Sequence, residues 1–246
     1  MTGIWKKILA LVPGIAACAV TSQAMADPNG DKGWQAVLSA RAKYFEESFG
    51  LTPQEMLKNP ELIGIAPGVG LFIVPADKLG KGTWAYTSFG LSQAGMPTHA
   101  SDSTVKLKAP ASVAAGAAGY GYELVMLTRE KDAEWPLWIL QWAIQKEIRK
   151  DVGHLERAEK DKGFTAAGIR VGEPKDQMVN LLFAKAQAPL PTGITLPNGR
   201  MEILVVTVIT TDEMNWSMEN GRDALLAKLI ASGVGQVSDR KRKSVL

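Results

Sequence analysis

Apolar residues along this chain change their spacing several times, and each change marks an element. Trp34, Val37, Leu38, Ala42, Phe45 and Phe49 recur at steps of three and four, which predicts an amphipathic helix ending near Gly50. A second short helix is expected from Thr52, with Pro53 at its first position. Gly70-Leu71-Phe72-Ile73-Val74 is a continuous apolar run stopped by Pro75, the pattern of a buried strand, and residues 77–82 turn into the next strand. Residues 93–118 keep no period and are rich in Ala, Ser, Pro and Gly. They read as a long loop with one short strand at 104–108, the stretch best placed to move or to meet a partner.

In the strand that follows, Tyr120, Tyr122, Leu124 and Met126 fall on one face, and Glu123, Val125 and Leu127 on the other. Both faces are mostly apolar, so this is a central strand covered on both sides. A helix over 134–150 carries Trp135, Trp138, Ile139 and Trp142 as one stripe, with Asp132 and Glu134 where a helix N-terminus favours negative charge. Strands are expected at 167–171 and 178–184. The Val- and Ile-rich run over 201–210 has the composition of a buried strand. Thr210-Thr211-Asp212-Glu213 is a capping box that starts a short helix; another helix over 220–232 ends at Gly233, and a last strand at 234–238 meets a basic tail.

Composition narrows the class. With 246 residues, 46% hydrophobic and 22% charged, the chain can bury a full core and is neither disordered nor fibrous. It holds no internal repeat and no apolar-poor linker, so one domain over 33–246 is expected. The first residues stand apart: Lys6-Lys7 precede an apolar run, and Ala24-Met25-Ala26 before Asp27 fits a small-x-small cleavage site. Residues 1–26 read as a secretory signal peptide, too short and too interrupted by Pro13 and Gly14 for a membrane span of about twenty residues. Ile15-Ala16-Ala17-Cys18 also resembles a lipobox, with cleavage before an acylated Cys18. Either reading exports the protein, to the periplasm or beyond, or to a lipid anchor at Cys18; membrane contact follows only from the anchor.

Cys18 is the only cysteine, so cleavage after Ala26 leaves no disulfide and stability must come from the core. Removing Lys6 and Lys7 from the 28 basic residues leaves 26 against 25 acidic ones, which gives nucleic-acid binding no general electrostatic support.

Few residues carry a pattern that points to chemistry. His99 and His154 are the only histidines, neither at metal-ligand spacing, so no metal and no cofactor is expected. There is no G-x-S-x-G elbow. Gly80-Lys81-Gly82-Thr83 lacks the hydroxyl residue that follows the lysine of a phosphate loop and reads as a turn. The small-residue run 114–121 precedes a strand, whereas a dinucleotide loop must follow one. Glu123, the one carboxylate inside a largely apolar strand, has two readings. It is either a structural carboxylate paired with an Arg, a Trp N–H or backbone donors, or an acid–base group with a shifted pKa. The second reading belongs to an exported enzyme in which Glu123, Tyr122 or His154 converge in a pocket. The tail Asp239-Arg240-Lys241-Arg242-Lys243 reads as a solvated basic end.

Three pieces of sequence carry a family resemblance. They are Trp84-Ala85-Tyr86-Thr87-Ser88-Phe89-Gly90-Leu91-Ser92, Gly119-Tyr120-Gly121-Tyr122-Glu123-Leu124, and the helix beginning Trp135-Pro136. In order and spacing they resemble the suppressor-of-fused domain, whose strands read Y-x-S-F/Y-G-L-S and G-F/Y-G-F/Y-E-L-T ahead of a W-P helix. The resemblance covers roughly residues 53–244. It implies an α+β domain of mixed β-sheets flanked by helices, no catalysis, and a function of holding other proteins.

The resemblance also places binding near the first signature strand and the loop after it, on Tyr86, Ser88 and Phe89 together with Tyr122 and Glu123; the alternative for Tyr86 is a packed β residue. Gln93 stands where animal members carry an acidic residue. The expectation is therefore an exported, non-catalytic protein-binding module, in bacteria of the immunity type that neutralises a toxin. An exported enzyme and a structural envelope component are the alternatives.

Overall fold

The long apolar runs become the middle of one mixed sheet. In a computed structural model, described for residues 31–50, 57, 69–94, 115–172 and 178–246, eight strands follow one another. They are β1 (Gly70–Pro75), β2 (Trp84–Phe89), β3 (Ala117–Thr128), β4 (Phe164–Arg170), β5 (Met178–Lys185), β6 (Gly193–Leu196), β7 (Gly199–Ile209) and β8 (Val237–Ser238). The order across the sheet is β1-β2-β3-β7-β5-β4, antiparallel except where β3 lies parallel to β7. β6 forms a hairpin on β7. β8 joins the end of β3 in parallel at Leu127 and Thr128, beyond the last β3–β7 pair at Val125↔Val205. There the Ser238 hydroxyl accepts from the Val208 N–H, so the last strand bridges two central strands that have parted.

Helices cover both faces, as an α+β domain with apolar residues on both sides of its central strands requires. On one face, α2 (Trp135–Lys150) and α3 (His154–Lys160) pack Leu137, Ile139, Leu140, Ala143, Ile144 and Ala158 against Tyr122, Leu124, Met126, Leu204 and Val206. On the other, α1 (Asp31–Phe49) lays Val37, Tyr44, Phe45 and Phe49 on Val125, Leu127, Ile203 and Val205. Further along that face, α5 (Arg222–Ala231) seats Leu225, Leu226 and Leu229 on β5. Each large side chain so sealed contributes about 1.5–3 kcal/mol.

The expected helix stripe shifts by one residue. Trp135 and Ile139 are buried, but Trp138 and Trp142 are only half-buried, and the inward line runs through Leu140, Ala143, Ile144 and Glu147. The capping box at Thr210 is present, its hydroxyl accepting from the Glu213 N–H while Glu213 reaches back to Thr210 N–H, and it starts α4 (Thr211–Asn220).

Other expectations need correction. The expected 220–232 helix begins only at Arg222, because Gly221 (φ +100°) separates it from α4. The final strand is reduced to two residues, and β3 starts at Ala117, inside the expected loop. α3 and β6 were not legible in the sequence pattern. The leader at 1–26 with Cys18, the helix from Thr52, and the 104–108 strand lie outside the described residues. Among the described residues no helix is long and apolar enough to cross a membrane.

Candidate functional site

The site is built where β2 leaves the sheet. Its ladder with β3 runs from Trp84↔Thr128 to Thr87↔Val125 and then stops. The Ser88 hydroxyl accepts the Leu124 N–H at 2.7 Å in place of a ladder bond, and donates to Glu123 Oε2 at 2.6 Å. The chain swings at Gly90 (φ +124°) into a 3-10 turn at Leu91–Gln93. That turn aims three donors at Glu123 Oε1: the Gly90 N–H at 2.9 Å, the Ser92 N–H at 3.0 Å and the Ser92 hydroxyl at 2.6 Å. One carboxylate, fully buried, thus accepts four hydrogen bonds from the end of β2 and the turn that follows it. Charge-assisted bonds of this kind are about twice as strong as neutral ones, so the loop is knotted to the central strand.

α1 reaches into the same knot. The Arg41 guanidinium, also fully buried, lies 3.7 Å from Glu123 Oε1. It donates to the Ser92 hydroxyl at 3.0 Å and to Gln93 Oε1 at 2.8 Å, and stacks 3.6 Å above the Phe89 ring. From the hairpin between β6 and β7, Asn198 Nδ2 donates to the Ser92 carbonyl at 2.9 Å.

The two glycines of the second motif have a steric reason. A Cβ on Gly119 would lie 2.3 Å from the Leu91 carbonyl oxygen and 2.6 Å from the Ala94 nitrogen, so the start of β3 runs against the backbone of the loop. Gly119 and Gly121 both have positive φ (+57° and +79°), and the β3–β7 register slips between Ala117 and Tyr122. Only glycine takes such φ values without penalty.

A second buried centre lies on the opposite face of β3. The Tyr122 hydroxyl donates to Glu147 Oε2 at 2.6 Å, and the same carboxylate accepts the Gly153 and His154 N–H groups at 3.0 and 2.9 Å. Burial, and then the Glu147 charge, hold the Tyr122 phenol protonated well above its usual range. His154 stacks against Phe164 and Phe183 (ring centroids 5.5 and 5.2 Å away), and its Nε2–H donates to the Ala143 carbonyl at 3.1 Å. Its Nδ1 is buried with no partner. Burial lowers the imidazole pKa despite the Glu147 carboxylate nearby.

A pH dependence follows. A neutral His154 in the folded state means that the unfolded chain takes up its proton first as pH falls. The stabilisation is complete above the unfolded value of about 6.5 and is lost below it, down to the lower folded value, with a slope of at most about 1.4 kcal/mol per pH unit. Urea titrations at successive pH values are expected to show this slope in the wild type and a flatter profile in His154→Phe.

The structure brings Ser88 and Glu123 together, and places Phe89 beside them through Arg41. Tyr122 points the other way, into the Glu147 centre, and Tyr86 is sealed in the core beneath α2. Burial raises the Tyr86 hydroxyl pKa well above its usual range. Of these five residues only Phe89 reaches solvent, and only in part. Tyr122 and His154 do meet at Glu147, whereas Glu123 lies on the other face, and both centres are closed to solvent. A cleft of about 150 Å³ opens elsewhere, at the ends of β5 and β7, and none of the three lines it.

Sequence reasoning missed Arg41, Ser92 and Glu147. Arg41 had a signal: it sits in register with Val37, Phe45 and Phe49, a cation inside an apolar stripe. The tail also differs from a solvated end. Arg242 makes a two-pronged pair with buried Glu213 and donates to the Val208 carbonyl at 3.2 Å, while Arg240 lies 5.2 Å from the Trp135 ring. Burial works to raise the Glu213 pKa, but these Arg242 bonds with the Thr210 and Val245 N–H groups outweigh it and the pKa is lowered.

Comparison with known proteins agrees with this architecture. The family model for "Suppressor of fused protein (SUFU)" matches residues 67–243. A chain of the Sufu–Fu complex crystal structure superposes with a TM-score of 0.57 at 19% identity, covering 85% of this chain and 92% of that one. The crystal structure of Drosophila Suppressor of Fused gives a TM-score of 0.53 at 18% identity, covering 90% of this chain and 54% of that one, so the chain spans about half of that relative. No curated protein matches.

Proposed function

The chain belongs to the suppressor of fused family, and from that premise we propose that it is a non-catalytic module that binds a protein partner stoichiometrically. The observation that carries this reading is where the reactive groups go. Glu123 is committed to four donors, and Tyr122 and His154 are tied to Glu147 and to the Ala143 carbonyl, all of them away from solvent. Groups so engaged hold backbone in place; a general acid or base needs reach to a substrate. A similar fold occurs in the Sufu–Fu complex, which supports a protein as the ligand class. In finer terms the proposal is an exported protein of the immunity type, acting in the envelope on one partner, without cofactor or nucleic acid.

The test is crosslinked capture from the native envelope, comparing wild type with Phe89→Ala after checking by circular dichroism that the variant is folded. One partner retained in equimolar amount by wild type and lost from the variant supports the reading. No partner in either sample contradicts it. Intact mass of the purified protein checks the export proposal: an N-terminal Asp27 or an acylated Cys18 supports it, and an unprocessed Met1 contradicts it.

A further inference from the structure

We infer that the turn of residues 88–93 and the strand beneath it form a preformed guanidinium-binding slot, and that Arg41 of α1 is its resident ligand, held in cis. The slot has four walls. They are the Glu123 carboxylate 3.7 Å from Nη1, the Ser92 hydroxyl oxygen 3.0 Å from Nη1, Gln93 Oε1 2.8 Å from Nη2, and the face of Phe89 3.6 Å from Cζ. None of these walls belongs to α1. Phe89 ends β2, Ser92 and Gln93 form the 3-10 turn, and Glu123 is on β3. A carboxylate, two neutral acceptors at different nitrogens and an aromatic face select a planar fork of donors over the compact ammonium of lysine.

The walls also do not depend on the cation. Glu123 already accepts from the Ser88 hydroxyl, the Gly90 N–H and both donors of Ser92, so the carboxylate stays aimed when the arginine is gone. Burial opposes the charge and pulls the Arg41 pKa down to about 10, with Glu123 pushing it back up, so the group is still a cation at neutral pH. A buried ion pair of this kind adds little net stability over an apolar replacement, which leaves recognition as what the four-sided match provides. The ligand also comes from outside the family-matched segment: α1 ends at Phe49, and the match begins at residue 67. Three of the walls, Phe89, Ser92 and Glu123, belong to the family signature, Gln93 is this chain's own, and the occupant comes from the segment before it. The ligand class that fits is an arginine side chain or a free guanidinium compound. An arginine on a partner segment would have to displace Arg41 to enter. The slot itself does not rest on the protein-binding reading.

The experiment uses the full chain as wild type, Arg41→Ala and Arg41→Met, and follows thermal unfolding in guanidinium chloride far below denaturing concentrations. Methylammonium chloride and sodium chloride serve as controls. In Arg41→Ala, guanidinium at about four times its dissociation constant is expected to raise Tm by about 2–4 °C, while the controls leave it unchanged. Wild type, with the slot filled, and Arg41→Met, with an unbranched apolar chain in it, are expected to show no rise. A flat response in Arg41→Ala overturns the inference, as does an equal rise in all three proteins or with methylammonium. Where Arg41→Ala does not fold unaided, refolding with and without guanidinium replaces the melt. Recovery that depends on guanidinium supports the slot, and equal failure with all three salts overturns it.

Discussion

Glu123→Ala is expected to lose about 3–5 kcal/mol of unfolding free energy, the largest loss from removing any one polar side chain among the described residues. The Glu123 side chain transfers no proton; its loss matters because of what it leaves behind. The Gly90 and Ser92 N–H groups and two serine hydroxyls lose their acceptor in a fully buried place, and the Arg41 charge loses the carboxylate beside it. Each unsatisfied buried donor costs about 1–3 kcal/mol, partly relieved by whatever water enters. Glu123→Gln keeps one carbonyl oxygen for the turn and is expected to lose clearly less. Urea midpoints at constant m-value would rank the two. Equal stability of Glu123→Ala and wild type would mean that the carboxylate is not the centre of the loop.

Gly119→Ala is expected to be nearly as damaging although it only adds a methyl group. The residue has φ +57°, where a Cβ costs about 1–2 kcal/mol on its own. The added carbon would also sit 2.3 Å from the Leu91 carbonyl oxygen and 2.6 Å from the Ala94 nitrogen, both backbone atoms of the knotted turn. No rotamer change relieves a clash with backbone, so the loop must move off β3 and the total approaches about 4 kcal/mol. Gly82→Ala is the matched control, with φ +75° and no atom within 4 Å of the new Cβ; it is expected to cost only about 1–2 kcal/mol of backbone strain. Thermal melts of both variants separate strain from collision, and a similar small shift in both would remove the close approach from the account.

Much of the fold was legible because it depends on local pattern. The apolar run 201–210 reads as a buried strand, and β7 is one. Thr210 and Glu213 at capping-box spacing start a helix, as the residue types require. α3 and β6 were not legible, since seven and four residues are too few to show a period, and each exists by packing on a neighbour, α3 on β5 and β6 on β7.

The signature strands named the site in outline, and Ser88 and Glu123 do meet. Their partners were hidden for a physical reason. Arg41 lies 82 positions before Glu123 in the sequence, and the Ser92 donors acquire meaning only once Gly90 turns the chain. Alternation along β2 puts Ser88 on the face of Tyr86, yet the β2–β3 ladder ends at Thr87 and the Ser88 hydroxyl reaches Glu123. Phe89, the next residue, lies 6.0 Å from Phe45 of α1 and 5.0 Å from Phe72 of β1.

The signature sequence is a knot in which a buried carboxylate fixes a loop. Amide hydrogen exchange of Gly90 and Ser92 in the wild-type protein tests it most directly. Neither N–H belongs to a strand ladder, yet both donate to Glu123 Oε1. Both are expected to exchange only on global unfolding, as slowly as the ladder amides of β3, and to lose that protection in Glu123→Ala while β3 keeps its own. Exchange of Gly90 and Ser92 in the wild type at the rate of an open surface loop would contradict it.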